Sequence, residues 1–314
     1  MSTTATPSTE MRCPICGQAL HPTHMRAPDR LATRDGPFTV TECASCQYGV
    51  TVPQLSEQAL TRYYTSEYYE DFYENSGERD GPLHRLRGWF RRWSSARHYR
   101  RPPYLLSGIT PGRMLDVGCG SGKLLEHFAK RGWETYGIDP SSSATTAAAQ
   151  RGAQVHQGTL LDQPWEPGSF QLITFQDALE HIPEPIDALR HARALLTPGG
   201  LLLVQVPNWS HWQRRFLFRS CWFPLDLPRH QQHFSVRALQ RVAEFSGLRV
   251  RSVGTISNVS TAGYSLHYVL FGRLRPGWKL WLSYALGMLV FPLLLLGDRA
   301  SGGDACFIVM ERTT

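Results

Sequence analysis

The chain has 314 residues, 42% hydrophobic and 19% charged, enough to bury a core without staples and unlike disordered, collagen-like or disulfide-rich secreted classes. The formal net charge of +7 invites a nucleic-acid or anionic-membrane reading, but the charge is local: residues 78–101 hold 8 basic against 2 acidic groups and 205–314 hold 13 against 5, while 1–77 and 102–204 are net acidic. Only 3 of the 33 basic residues are Lys; Arg suits bidentate phosphate recognition, and a compositional habit gives the same bias.

The first dozen residues contain no apolar run, so no secretory signal is read there and a cytoplasmic protein is expected. In a reducing compartment the seven Cys point to metal ligation or buried thiols before disulfides. Four of them form two Cys-x-x-Cys pairs, Cys13/Cys16 and Cys43/Cys46. Each pair aims two thiolates at one ion, and together they supply the four soft ligands of tetrahedral zinc, with no open position for catalysis. Residues 38–41 alternate as a strand leading into the second pair, the layout of a zinc ribbon. Residues 1–55 are therefore expected to form a zinc-ribbon domain holding structural zinc.

Residues 56–105 read as a helical linker. Tyr63, Tyr64, Tyr68, Tyr69, Phe72 and Tyr73 recur at helix spacing, which suits packing or a cover over a bound ligand. In 78–101, Leu83, Leu86, Trp89, Phe90 and Trp93 share one helical face among arginines, a basic amphipathic helix that ends at Pro102-Pro103.

Residues 113–122, RMLDVGCGSG, are a short apolar strand opening into a glycine loop. A Walker loop would need Gly at Val117 and a hydroxyl residue at Leu124, and a dinucleotide fingerprint would need Gly at Lys123. What remains is Asp116-x-Gly118-x-Gly120-x-Gly122. With the strands ETYGID, AQVHQG and SFQLITFQDALEHI, a helix from about Pro185 and the run LLTPGGLLLVQVPN following in order, residues 112–208 resemble class I S-adenosylmethionine (SAM)-dependent methyltransferases.

The resemblance implies an α/β fold: a Rossmann-like seven-stranded sheet, its last strand antiparallel, with helices on both faces, over 106–314. It also implies that SAM is held by Asp116, Gly118, Cys119, Gly120 and Gly122, by Asp139 at the ribose, by Leu161 and Asp162 at the adenine, and by Gln176 and Asp177. Gln171 stands where the family usually carries Asp and is expected to cap a strand start.

Methyl transfer needs alignment of acceptor and methyl, and a hydroxyl or amine acceptor gains from a base. His181, with Glu180 to orient it, lies at the carboxyl end of the fourth strand, where open α/β sheets place ligands; capping of the next helix is the alternative. A second segment, Asp226 to Ser235, resembles the family's Pro-x-His-x-x-x-Phe-Ser pattern and offers His230 and His233 to the acceptor, or as structural histidines. Residues 208–234, with Trp209, Trp212, Trp222 and several arginines, are expected to form a lid. Residues 280–297 are uncharged, the lower edge for a membrane span, but the strands 248–255 and 305–312 must pair, so 258–304 is expected to be an inserted helical hairpin, packed over the acceptor pocket or lying in a membrane interface.

The expected function is methyl transfer, at oxygen, to a small-molecule or lipid-linked acceptor, with peripheral contact to an anionic membrane at its inner face. The resemblance extends to ubiquinone-type O-methyltransferases and to sugar methyltransferases. A zinc-ribbon ribosomal RNA methyltransferase is the alternative, its Arg-rich helix meeting phosphates; a sugar methyltransferase of a polysaccharide or natural-product pathway is the second, and a non-enzymatic binding module comes last.

Overall fold

A computed structural model of the chain describes residues 11–31, 33, 35–64, 109–275 and 278–313. The tyrosines from Tyr68 onward and the basic helix expected at 78–101 lie outside the described residues. The described start of the linker holds a four-residue helix, α1 (Glu57–Leu60), and a 3-10 turn, Thr61–Tyr63.

The N-terminal segment forms three antiparallel strands, β1 (His21–Ala27), β2 (Phe38–Cys43) and β3 (Tyr48–Val52). The apolar runs of the middle region form β4 (Arg113–Val117), β5 (Glu134–Asp139), β6 (Gln154–Gln157), β7 (Phe170–Gln176) and β8 (Leu196–Pro207). Helices α2 (Lys123–Ala129), α3 (Ser142–Gln150) and α4 (Pro185–Leu195) lie between them. Ser141 caps α3 by accepting from the Ala144 amide at 3.3 Å, and Pro185 opens α4, where a missing N–H costs nothing.

After the three-residue strand β9 (Gln232–Phe234) and helix α5 (Val236–Phe245) come β10 (Arg249–Ile256) and β11 (Ala305–Glu311). The seven-stranded order is β10-β11-β8-β7-β4-β5-β6, with β11 antiparallel to both neighbours. β4, β7 and β8 are buried along almost their whole length, as strands covered on both faces must be. The order reverses between β4 and β7, so the crevice at their carboxyl ends is the place for a ligand. Gln171 performs the expected cap: its Oε1 accepts from the Arg113 amide at 2.6 Å and ties the start of β7 to that of β4.

The ribbon does not stand apart. β9 adds a fourth strand to it, pairing Tyr48 with Phe234 and Val50 with Gln232. Cys43, Tyr48 and Val50 share one apolar cluster with Phe234, Leu239 and Val242. A division into 1–55 and 106–314 has no place for this shared sheet, because three residues carry no readable periodicity.

The insertion between β10 and β11 is a helical hairpin, α6 (Val259–Phe271) and α7 (Trp278–Ser301). Pro292 sits inside α7 without ending it.

Candidate active site

Gly118, Gly120 and Gly122 have φ of +72°, +49° and +75°, a left-handed run that side chains disfavour. Space demands glycine as well: a Cβ on Gly118 would stand 2.7 Å from the Ala178 methyl, and one on Gly122 2.8 Å from that of Ala148. The loop is thereby seated against the segment that follows β7. Asp139 holds the loop, accepting from the Gly120 amide at 3.0 Å and the Ser141 amide at 2.9 Å. Asp116 lies behind it, buried, accepting from the Thr174 hydroxyl at 2.6 Å; burial pushes its carboxyl up to about 7.

Cys119 offers the loop only its backbone. Its side chain turns into the sheet, where a Cβ on Gly137 would meet its Sγ at 2.7 Å, so only its backbone is left for a ligand. Asp162 closes a turn by accepting from the Thr159 hydroxyl at 2.7 Å, and Leu161 is 73% exposed beside it. Asp177, at the end of β7, has a φ of +51° and donates its amide to Gln205 O at 2.9 Å; burial lifts its carboxyl to about 6. Gln176 is the last residue of β7, paired with Gln205. The left-handed loop, close-packed against Ala178 and Ala148 where glycine is required, leaves backbone to meet a ligand.

The 3-10 turn Leu179–His181 and the segment 208–234 bring Glu180, His181 and His230 together, with one nitrogen or oxygen of each within 4.8 Å of the others, an arrangement able to share a proton or a cation. The His181 and His230 rings meet edge to face at 4.7 Å. Both Glu180 oxygens are buried without a hydrogen-bond partner, and burial raises its carboxyl well above the ordinary value. His181 Nδ1 lies 3.1 Å from Arg229 O and 3.0 Å from the Tyr64 hydroxyl. The carbonyl can only accept, which assigns the ring proton to Nδ1 and the lone pair to Nε2. Burial, helped by His230, pushes His181 down to about 3, so its imidazole is neutral.

His233 is seated elsewhere. Its Nε2 lies 2.9 Å from the Thr51 hydroxyl and its ring packs on Trp209 at 4.7 Å, in the joint between β3 and β9. The same Thr51 hydroxyl donates to His230 O at 2.6 Å. Arg229, fully buried, bonds Asp29 of the ribbon at 2.9 Å and Asp226 at 2.6 Å. Sequence reading missed Asp29, Asp226 and Arg229 as a unit; the Pro-Arg-His run marks the lid, but nothing local marks Asp29.

The four sulfurs of Cys13, Cys16, Cys43 and Cys46 lie within 4.8 Å of one another, and three of these residues are buried. Burial pushes the Cys13 thiol up to about 11; Cys16, against its own slight burial, is brought down to about 7 by the Gln18 backbone and the neighbouring sulfurs. Four thiols in one dry corner fit a soft tetrahedral cation.

A doubly wound sheet with this glycine loop and the acid that holds it defines a class I SAM-dependent methyltransferase. The profile of a methyltransferase-domain family matches residues 83–253, and the chain belongs to that family. It is 31% identical over 135 residues to a ubiquinone biosynthesis O-methyltransferase of Bradyrhizobium sp. (strain ORS 278), across 40% of this chain and 53% of the relative. To the same-named protein of Aeromonas salmonicida (strain A449) it is 29% identical over 161 residues, 48% of this chain and 68% of that one. The chain thus spans about half the length of most curated relatives it matches. Among solved structures, a SAM-dependent methyltransferase from Thermotoga maritima superposes with a TM-score of 0.50 at 18% identity over 74% of this chain and 96% of that one. A Haemonchus contortus phosphoethanolamine N-methyltransferase gives 0.51 at 15% over 85% and 63%. These likenesses concern the fold.

Proposed function

We propose that the enzyme methylates a hydroxyl oxygen of a small-molecule or lipid-linked acceptor in the cytoplasm. The observation that carries the reading is the Glu180–His181–His230 cluster at the carboxyl end of β7, joined to the glycine loop through the Gly118–Ala178 contact. The names of the curated relatives, O-methyltransferases of ubiquinone biosynthesis, support oxygen as the acceptor atom.

SAM supplies the methyl from its sulfonium. Asp116, the backbone of Gly118, Cys119, Gly120 and Gly122, Asp139, Leu161, Asp162, Gln176 and Asp177 hold it. His181, the most exposed of the three clustered residues, presents Nε2 to the acceptor hydroxyl. Glu180, whose carboxyl is raised by burial and by nearby Asp177, is the better resting place for the proton. Asp226, held low against its burial by Arg229, keeps a negative charge 3.9 Å from His230 Nε2. Cys13, Cys16, Cys43 and Cys46 hold structural zinc.

The test is incubation of purified enzyme and methyl-labelled SAM with phenols and catechols, with and without a polyprenyl chain, the product read by mass spectrometry. An O-methylated product lost in His181→Ala, with SAM affinity unchanged, is expected. A product methylated at nitrogen or carbon, or full turnover by His181→Ala, removes the reading.

A further inference from the structure

The α6–α7 hairpin is packed inside out for an element bathed in water. Its two helices meet on their smallest residues: a Cβ on Gly287 would stand 2.5 Å from Gly263 Cα. The rest of the seam is polar. Ser283 and His267 are both 0% exposed. His267 Nδ1 donates to Ser283 Oγ at 3.0 Å, its Nε2 accepts from the Arg275 amide at 3.0 Å, and the Ser283 hydroxyl passes on to Lys279 O at 3.0 Å. Small residues and hydrogen-bonding side chains at a helix seam are the packing used where the surroundings are apolar.

The outward face matches that interior. Trp278, Leu289, Leu293 and Leu296 are 69%, 75%, 70% and 58% exposed, while Ser283, Gly287, Leu294 and Asp298 face the protein. The stripe runs the length of a 24-residue helix, about 36 Å at 1.5 Å per residue. Soluble monomers rarely leave so long an apolar strip open. Its border is positive: Arg273, Arg275 and Lys279 lie at the hairpin turn and Arg299 at the far end. Among 259–301 the one acidic residue, Asp298, is turned inward onto His211, Trp212 and Ser257.

A crossing is excluded by topology. β10 and β11 stay paired up to Ile256 and Ala305, so both ends of the hairpin leave one sheet edge. The 13 residues of α6 reach about 20 Å, short of a hydrocarbon core of about 30 Å.

We propose that the α6–α7 hairpin is an in-plane docking element that seats its leucine face in the headgroup–acyl boundary of an anionic bilayer. The hairpin is stapled to the acceptor side of the site: Phe223 stacks on Tyr264 at 4.5 Å and donates its amide to Ser265 Oγ at 2.9 Å, just before Asp226. On the ribbon side, Arg30 donates to Gly272 O at 2.5 Å and accepts from the Leu274 amide at 3.0 Å. Docking therefore carries the lid and its His230 to the membrane, which rests on and deepens the lipid-linked reading of the acceptor.

The test is flotation of the full chain with phosphatidylcholine vesicles, with and without phosphatidylglycerol. Wild type is expected to float with the anionic vesicles and far less with the neutral ones. The double variant Leu289→Glu/Leu293→Glu, altered only at exposed positions, should lose flotation by about tenfold or more while keeping its melting temperature and SAM affinity. Equal flotation by the variant, or none by wild type, overturns the proposal; so does a dimer in light scattering that the two substitutions split, which would give the face to a second copy. Flotation without methylation of any lipid-linked acceptor leaves docking standing and removes only the acceptor reading.

Discussion

Burial moves the acids and the imidazole of this site in opposite directions, and the two leave different marks on stability. Native Asp116 keeps its proton up to about pH 7, whereas the unfolded chain releases it near the ordinary 3.8. Its contribution is full below that value and lost as pH rises through 7. Asp116→Asn cannot ionise, so its melting temperature relative to wild type should climb between pH 4 and 8, by several degrees at the top; a flat difference would deny the buried proton. His181, neutral down to about 3, works the other way: its contribution is present above 6.5 and drains as pH falls toward 3. Catalysis should follow Glu180. Glu180→Gln keeps the volume and removes the proton site, so kcat/KM should drop about 100-fold or more and one limb of its pH profile should vanish, with SAM affinity kept. Arg229→Met takes the guanidinium away from buried Asp29 and Asp226, and urea unfolding should register a loss of about 3–5 kcal/mol.

At the scale of elements, the ribbon acts through a joint. Thr51 of β3 holds the backbone of His230 and the ring of His233, and Tyr48 donates to Gln232. Disrupting the thiol cluster with Cys43→Ser should therefore cost acceptor turnover while leaving SAM affinity, set by the seven-stranded sheet, within about twofold; calorimetric titration and turnover on one preparation separate the two. This coupling is also where the sequence was least readable. The strands from β4 to β8, the glycine loop, the Gln171 cap and the β10–β11 pair all announce themselves locally, by apolar runs, by glycine spacing or by a capping side chain. β9 does not: Gln232-His233-Phe234 belongs to a sheet only because β3 is waiting for it. His233 could be read either as facing the acceptor or as a structural histidine, because its neighbourhood in sequence resembles a site motif; its neighbourhood in space is Thr51 and Trp209. Nor does a position in a loop say which way a side chain turns: that of Cys119 faces the sheet and only its backbone lines the loop.

Across the whole molecule, the net charge of +7 resolves into places. The region that carries the sheet's ligand crevice, 102–204, is net acidic, and in the described residues the positive surplus gathers after residue 205, around the lid and the hairpin. The ribbon, the lid and the sheet form one unit, so a chain restricted to 106–314 would bare the open edge of β9 and the cluster faces of Phe234 and Leu239. Such a fragment is expected to bind a hydrophobic dye strongly and to lose ordered melting; a fragment with the full chain's cooperative transition would show the ribbon dispensable.

The shared sheet also sets an order of events. Tyr48 and Gln232 are 184 positions apart, so during synthesis the N-terminal strands leave the ribosome long before their fourth member exists. Through that interval β3 is an open edge, able to pair with a neighbouring chain. The sulfur knot at Cys13, Cys16, Cys43 and Cys46 is complete as soon as residue 46 emerges, and it closes those first strands on themselves while they wait. The thiol cluster thereby protects a half-built sheet until the last third of the chain supplies β9.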